Sequence, residues 1–474
     1  MSNEFIEQGL TILANIEKSH RDAEATPVFS AEAELSTWLN NPEPMPENGR
    51  ELTSVVEQAI QYLGKGYSNV QHPGFLGYIS PKPDLNSILG DLLAAGHNQT
   101  SGAWRAGPFA TVIERQVLSW LCEITGYKQQ SGPVPNGIIT NGGALANATA
   151  LKLARERKLG SRVRQNGLYQ CGQLRFYGSA ETHFSIHRSL DFLGMGKDNF
   201  VTIPCDEQGR INVSTLKQQI EADIARGYLP CAVIAVAGTT ATGQIDPLDA
   251  LYHLCQHYQL WLHVDGAAGS VFASVEETAP LFKGVEKADS LCIDPCKWLF
   301  QSYGIGCLLV QDGQQLVESF TINSHYWIDE DEPDYFQMGL TGTRQWRTLG
   351  LWFSINTLGR TGIVKQLSHI RSCARHLQHC LAQHAFIDVY PHCELAVAVF
   401  RFKQTSDDDT HTRHLQKWLI SHGSFFVSEL LIDGKLWLRA AISNTHTKHS
   451  HMKQLADQVS HYYHHDVNAE SVEF

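Results

Sequence analysis

From about residue 85 to 310 short apolar runs alternate with longer amphipathic ones. GIITN is followed by the glycine turn NGGA and the helical stretch LANATALKLARER; LRFYGS leads into a helix over His183–Leu193 and then NFVTIP. A helix over Val213–Arg226 precedes CAVIAV, and one over Pro247–Tyr258 precedes LWLHVD. Short runs without strict alternation predict strands buried on both faces, and the amphipathic segments predict crossover helices. The expected fold is α/β, a doubly wound, mostly parallel sheet with helices on both faces. In such sheets ligands sit beyond the carboxyl ends of the strands.

The flanks read differently. In the first 70 residues LTILANI and VVEQAIQYL have helical patterning around the Pro/Asn-rich break NNPEPMPENG. Their apolar faces need cover, which predicts packing on a partner subunit or on the main body. Beyond Arg347 a long helix, WRTLGLWFSINTL, leads to a helix over Val364–Ala385 and strands near Phe386–Tyr390 and Leu395–Phe402. A helix over His411–His422, the strands SFFVSEL and KLWLRAAIS and a last helix follow. The expected division is an N-terminal helical arm at 1–84, a large domain at 85–355 and a small α+β domain at 356–474, with no internal repeat.

Composition narrows the class. With 474 residues the chain is long enough for several packed domains, and 43% hydrophobic and 18% charged residues are ordinary for a globular protein. A net charge of −12 counts against a nucleic-acid partner. MSNEFIEQGL lacks the basic start and apolar core of a secretion signal, and no run approaches the roughly 18–20 apolar residues of a membrane span. Eleven cysteines without a CxxC pair suit reduced thiols in a cytoplasm. The 23 histidines, including those in SHYYHHD, suggest surface solvation, and no metal is expected.

The chemistry concentrates between His263 and Leu299. LWLHVD ends at Asp265, and ADSLCID leads into Lys297. An amine and a carboxylate on neighbouring strand ends match the needs of pyridoxal 5'-phosphate: the amine condenses with the aldehyde, and the carboxylate keeps the ring nitrogen protonated. Trp298, Leu299 and Phe300 follow the lysine, and Asp294, Pro295 and Cys296 precede it, a desolvating wall that favours the free amine. Asp265 also reads as a strand-end cap, but the small residues Gly266, Ala267, Ala268 and Gly269 leave room for a flat ring. The turn Asn141-Gly142-Gly143-Ala144 precedes a helix, whose N–H groups suit a phosphate, although glycines at such junctions are usually structural. His183 either opens a helix as a polar terminal residue or stacks over the ring and reaches a substrate carboxylate. Thr239 and Thr240, at another strand end, are placed to reach the ring oxygen or the phosphate.

Together these segments resemble the group II pyridoxal-dependent amino-acid decarboxylases. The resemblance runs from HPGFLGYISPKP to the last domain through HPxFxxY, GGAxxN, SxxxHxS, GTT, HVDxA and [DN]PxKW in family order. It implies the fold type I architecture of pyridoxal-phosphate enzymes and a homodimer with its site at the subunit interface. It also implies an amino-acid substrate that leaves as an amine and CO2. Carried over, Lys297 becomes the Schiff-base lysine, Asp265 the ring-nitrogen partner, Ala267 the residue under the ring and His183 the one above it. Gly143 and Ala144 would hold the phosphate, with Thr240 and Asp294 also beside the cofactor. Tyr326 in NSHYWI, 29 residues after Lys297, matches the tyrosine of the family's mobile catalytic loop, and the acidic stretch Asp329–Asp334 suits such a loop.

The chain departs from the family pattern at Cys296, where a phosphate-holding histidine is usual. Arg105 follows Trp104 in a region that contributes to the family's substrate pocket. Facing inward, Arg105 would favour an acidic side chain; the breadth of the family favours aromatic ones. Two alternatives stay open: an aminotransferase or carbon–carbon lyase of the same fold, with Arg439 clamping a carboxylate, and a catalytically silent homologue.

Overall fold

The alternating runs form a seven-stranded sheet. The computed structural model describes residues 2–29, 40, 43–66, 68–128, 134–322, 334–403 and 408–467. Two units can be separated: Pro83–Arg371 with Pro391–Val397, and Met1–Lys82 with Ser372–Tyr390 and Ala398–Phe474.

The sheet belongs to the first unit. Its strands are β1 Gly137–Thr140, β2 Leu174–Ser179, β3 Phe200–Ile203, β4 Leu229–Val236, β5 Trp261–Asp265, β6 Ser290–Ile293 and β7 Gly306–Val310, in the order β1-β7-β6-β5-β4-β2-β3. β3, β2, β4, β5 and β6 run parallel, linked from β2 to β5 by the crossover helices Ser185–Phe192, Val213–Ala225 and Leu248–Tyr258. Helices cover both faces, and β4 is buried at every residue after Leu229. The Val213–Ala225 helix begins where Asn212 Oδ1 accepts the Thr215 N–H at 3.0 Å.

β7 runs against both neighbours, β6 and β1. Its first residue, Gly306, therefore pairs with Thr140 at the end of β1. That reversal brings the end of β1 to the sheet edge where β5 and β6 also end. A Cβ on Gly306 would meet the Gly142 carbonyl carbon at 2.4 Å, so the close approach requires glycine.

β1 is an edge strand, and a buried ion pair closes its open side. Arg344 Nη2 lies 2.5 Å from Glu114 Oε1, with both side chains buried. Arg344 Nη2 also donates to the Ile139 carbonyl at 2.8 Å, and Glu114 Oε1 accepts the Ile139 N–H at 3.2 Å. The pair supplies the donor and acceptor that a further strand would offer.

The second unit carries a four-stranded sheet in the order β10-β11-β9-β8. Its strands are β8 Ile387–Val389, β9 Val397–Phe402, β10 Ser428–Ile432 and β11 Lys435–Ala441. The helices Ser2–Arg21 and Leu52–Lys65 fall in the same unit. Phe75, from HPGFLGY, is buried with Val28 and Phe426, its ring centroid 5.2 Å from that of Phe426. The strand expected over SFFVSEL begins later, at Ser428, and Phe426 makes only an isolated bridge to Phe75. The two helices expected after Arg347 form one segment, Thr348–Ala382, broken by Gly359 at φ 62°. Among the described residues no helix is long and apolar enough to cross a membrane.

Glu114→Ala leaves a buried guanidinium without its counter-ion at the edge strand and should cost about 3–5 kcal/mol of stability, read from denaturant unfolding. A loss below about 1 kcal/mol, the range of a surface pair, would contradict the role assigned to this clamp.

Candidate active site

A cleft of about 340 Å³ opens at the edge where β1, β5 and β6 end. It is lined by Gly143, Ala144, His183, Thr240, Asp265, Ala267, Asp294, Cys296 and Lys297, so nine positions singled out from the sequence meet in one place. All nine belong to the first unit. Tyr326 lies outside the described residues. Arg105 is exposed on the short helix Trp104–Ala106 and does not line the cleft. Thr239 turns inward: its Oγ1 lies 3.0 Å from Thr242 Oγ1 and accepts the Gln244 N–H at 3.1 Å, which closes the turn after β4.

Asp265 ends β5 and is buried. Its Oδ2 accepts from Asn147 Nδ2 at 2.9 Å and its Oδ1 from the Ala267 N–H at 3.2 Å. Two donors from different elements thus fix the direction of the carboxylate.

Lys297 is half-buried just after β6. The Asp294 carboxylate accepts the Cys296 N–H at 3.1 Å, and the Lys297 N–H reaches the Asp294 carbonyl at 3.0 Å. Trp298 is buried edge-on to Phe272, with ring centroids 5.0 Å apart. Phe300 adopts φ 55°, a left-handed backbone that costs a bulky residue about 1–2 kcal/mol. Its N–H bonds the Lys297 carbonyl at 3.2 Å, and its carbonyl accepts the Asp84 N–H at 2.8 Å. The lysine therefore sits on a turn held from both sides.

The helix Gly143–Leu159 points its start into the cleft, and its N-cap, Gly142, offers no side chain to the first N–H groups. Gly142 has φ 140°, a conformation that L side chains rarely adopt. Uncapped N–H groups and the positive end of the helix dipole suit a phosphate dianion. Cys296 is buried; its Sγ donates to the Ile305 carbonyl at 3.0 Å, and burial pushes its pKa up to about 12. It is a neutral thiol and brings no positive charge to a phosphate.

His183 stands one residue before the capping position of helix Ser185–Phe192. Burial lowers its pKa; of the charges acting on it, Asp265 opposes the shift most and Lys297 adds to it. Its Nδ1 lies 2.8 Å from Ser185 Oγ. Asn147, Glu181, Ser185 and Tyr303 also line the cleft without having been assigned to it from the sequence. The motifs GGAxxN and SxxxHxS contain Asn147 and Ser185, so their signal was present; Glu181 and Tyr303 had none.

The donor set fits pyridoxal phosphate: an amine for the aldehyde, a buried carboxylate for the ring nitrogen, and a helix start for the phosphate. Comparison with known proteins agrees. Residues 36–403 match the family described as the pyridoxal-dependent decarboxylase conserved domain. An aromatic-L-amino-acid decarboxylase of Bacillus atrophaeus is 31% identical over 435 residues, 88% of each chain. Tyrosine decarboxylase 2 of Arabidopsis thaliana is 25% identical over 87% of this chain and 77% of its own. Oryza sativa TDC, solved with PLP and tryptamine, superposes with a TM-score of 0.90 at 22% identity, covering 97% of this chain and 98% of that one. The chain belongs to the pyridoxal-dependent decarboxylases, carboxy-lyases that act on amino acids with pyridoxal 5'-phosphate.

Proposed function

We propose that the protein removes the α-carboxylate of an aromatic L-amino acid as CO2 and releases the corresponding amine. The observation that carries the choice of substrate is the lining of the cleft. Among the described residues that line it, Lys297 is the one Lys or Arg, and Glu181 adds a carboxylate. With Lys297 committed to the cofactor, an acidic substrate side chain meets no further Lys or Arg among those residues and three carboxylates, Glu181, Asp265 and Asp294. The aromatic substrates named for the bacterial and plant relatives point the same way.

Bound in this cleft, the cofactor supplies a protonated pyridine ring that takes up the electron pair left by departing CO2. Asp265 would face the ring nitrogen and hold the proton there. Lys297 supplies the amine that anchors the cofactor through its aldehyde carbon. The N–H groups of Gly143 and Ala144 bind the phosphate, Thr240 and Asp294 border the cofactor, and Cys296 gives shape and a backbone contact. Ala267 would lie under the ring, and His183 would cover its other face. Tyr326 delivers the proton to the carbon that lost CO2.

The active form is a homodimer. Leu89, Leu92 and Leu93 on helix Leu85–His97, with Phe109 and Val112 on helix Pro108–Thr125, are 45–55% exposed. Apolar side chains in such number call for a partner surface, and a second copy provides it. The eleven cysteines, none in a disulfide, suit the reducing cytoplasm.

Supplied with cofactor and a panel of L-amino acids, the protein should release CO2 and amine from tyrosine, tryptophan or dihydroxyphenylalanine, with glutamate and cysteine sulfinate at least about 100-fold slower in kcat/KM. Tyr326→Phe should lose most amine and, in an oxidative reaction that consumes dioxygen, form the aldehyde with release of CO2, ammonia and hydrogen peroxide. Faster turnover of an acidic substrate would overturn the substrate assignment, and unchanged amine output from Tyr326→Phe would remove that tyrosine. Sedimentation equilibrium should return twice the 52.8 kDa chain mass, and a monomer alone would refute the dimer.

A further inference from the structure

A chain of hydrogen bonds beneath the cleft has a direction. His263 is fully buried on β5, and burial lowers its pKa to about 4, so the ring is neutral with one N–H. Trp261 Nε1 donates to Ser290 Oγ at 2.8 Å, and that hydroxyl lies 2.9 Å from His263 Nδ1. His263 Nε2 lies 2.9 Å from Asn147 Oδ1. Asn147 Nδ2 donates to Asp265 Oδ2 at 2.9 Å and to Ser185 Oγ at 3.1 Å.

The donors and acceptors admit one arrangement. Turning the Asn147 amide over would set its carbonyl oxygen against the Asp265 carboxylate, acceptor against acceptor. With the amide so fixed, its oxygen requires the hydrogen on His263 Nε2, and the bare Nδ1 takes the Ser290 hydroxyl hydrogen. On the other branch, Ser185 Oγ accepts from Asn147 and keeps its own hydrogen for His183 Nδ1, 2.8 Å away. The Ser185 backbone N–H approaches the same nitrogen at 3.3 Å. Two donors on Nδ1 leave the hydrogen of neutral His183 on Nε2.

We propose that Asn147 is a positioning residue that joins the Asp265 carboxylate and the His183 imidazole in one chain of fixed polarity, so that His183 meets the substrate as an Nε2–H donor and not as a base. The proposal rests on the placement of Asp265 and His183 against the cofactor given above. Asn147 itself is 1% exposed on the second turn of helix Gly143–Leu159, where a polar side chain persists only with partners. Its three partners come from β5 and from the segment that opens helix Ser185–Phe192. The helix that starts at the phosphate end of the cleft is thereby tied to both groups that flank the ring.

The test is ¹⁵N–¹H spectroscopy of histidine-labelled, cofactor-loaded protein, repeated after cofactor removal. In the wild type both His183 and His263 should appear as single Nε2–H tautomers. Asn147→Leu, similar in volume but without donor or acceptor, should lose the single tautomer at His183. It should also lower kcat about tenfold while KM for the amino acid changes less than about twofold. Should Asn147→Leu not fold, Ser185→Ala cuts the same chain one link later and should disturb the His183 tautomer while leaving His263 unchanged. A wild-type tautomer pattern at His183 in whichever variant folds, or an Nδ1–H tautomer in the wild type, would overturn the proposal. The cofactor-free spectra keep this outcome separate from a failure of the cofactor reading, because the hydrogen bonds are all between protein groups.

Discussion

The cleft depends on one buried carboxylate. Asp265 sits at the end of a strand covered on both faces, where an unpartnered acid would be costly by several kcal/mol. Its two oxygens take N–H donors from Asn147 and from its own turn at Ala267. Those donors commit Asn147, Asn147 commits His263 and Ser185, and Ser185 commits His183. A single acidic side chain thus sets the orientation of polar groups from the foot of β5 to the mouth of the cleft.

Topology supplies the other half of the constraint. Parallel strands deliver β5 and β6 to one edge, but the glycine turn at Gly142 follows β1, at the far side of the sheet. Only because β7 opposes both β6 and β1 does Gly306 lie against Gly142 and bring that turn into line with Asp265 and Lys297. The Glu114–Arg344 pair then fixes β1, whose outer edge would otherwise be free to pair or fray. The lysine turn is held with similar redundancy, by the Asp294 carboxylate, the Trp298–Phe272 contact and the strained Phe300. Strain at such a position persists where surrounding contacts over-determine it.

Much of this was legible in the residues. The apolar runs that form β1 to β6 announce themselves, because strands buried on both faces cannot alternate, and their crossover helices appear within one or two residues of the expected ends. Asp265 and Lys297 stand out for the same reason: a charged group at the end of such a run, or within a few residues after it, falls at a sheet edge. β7 escaped notice because GCLLV follows the lysine segment without a helix between, and a hairpin-like return in a parallel sheet leaves no periodic trace. Long-range polar pairs were also invisible. No spacing rule connects Asn147 to Asp265 or Glu114 to Arg344, which meet only through the tertiary fold. The position of Cys296 was visible but not its direction, since a thiol donating to the Ile305 carbonyl depends on where β7 begins. Thr239 and Thr240 are adjacent in sequence, yet the tight turn after β4 buries one and leaves the other at the cleft.

The claim on which the account turns is that the amine of Lys297 holds the cofactor. Treating the cofactor-loaded protein with borohydride, digesting it and mapping the peptides by mass reads this directly. The account predicts a single modified peptide, with the pyridoxyl mass on Lys297. Modification at another lysine, or none, would contradict it.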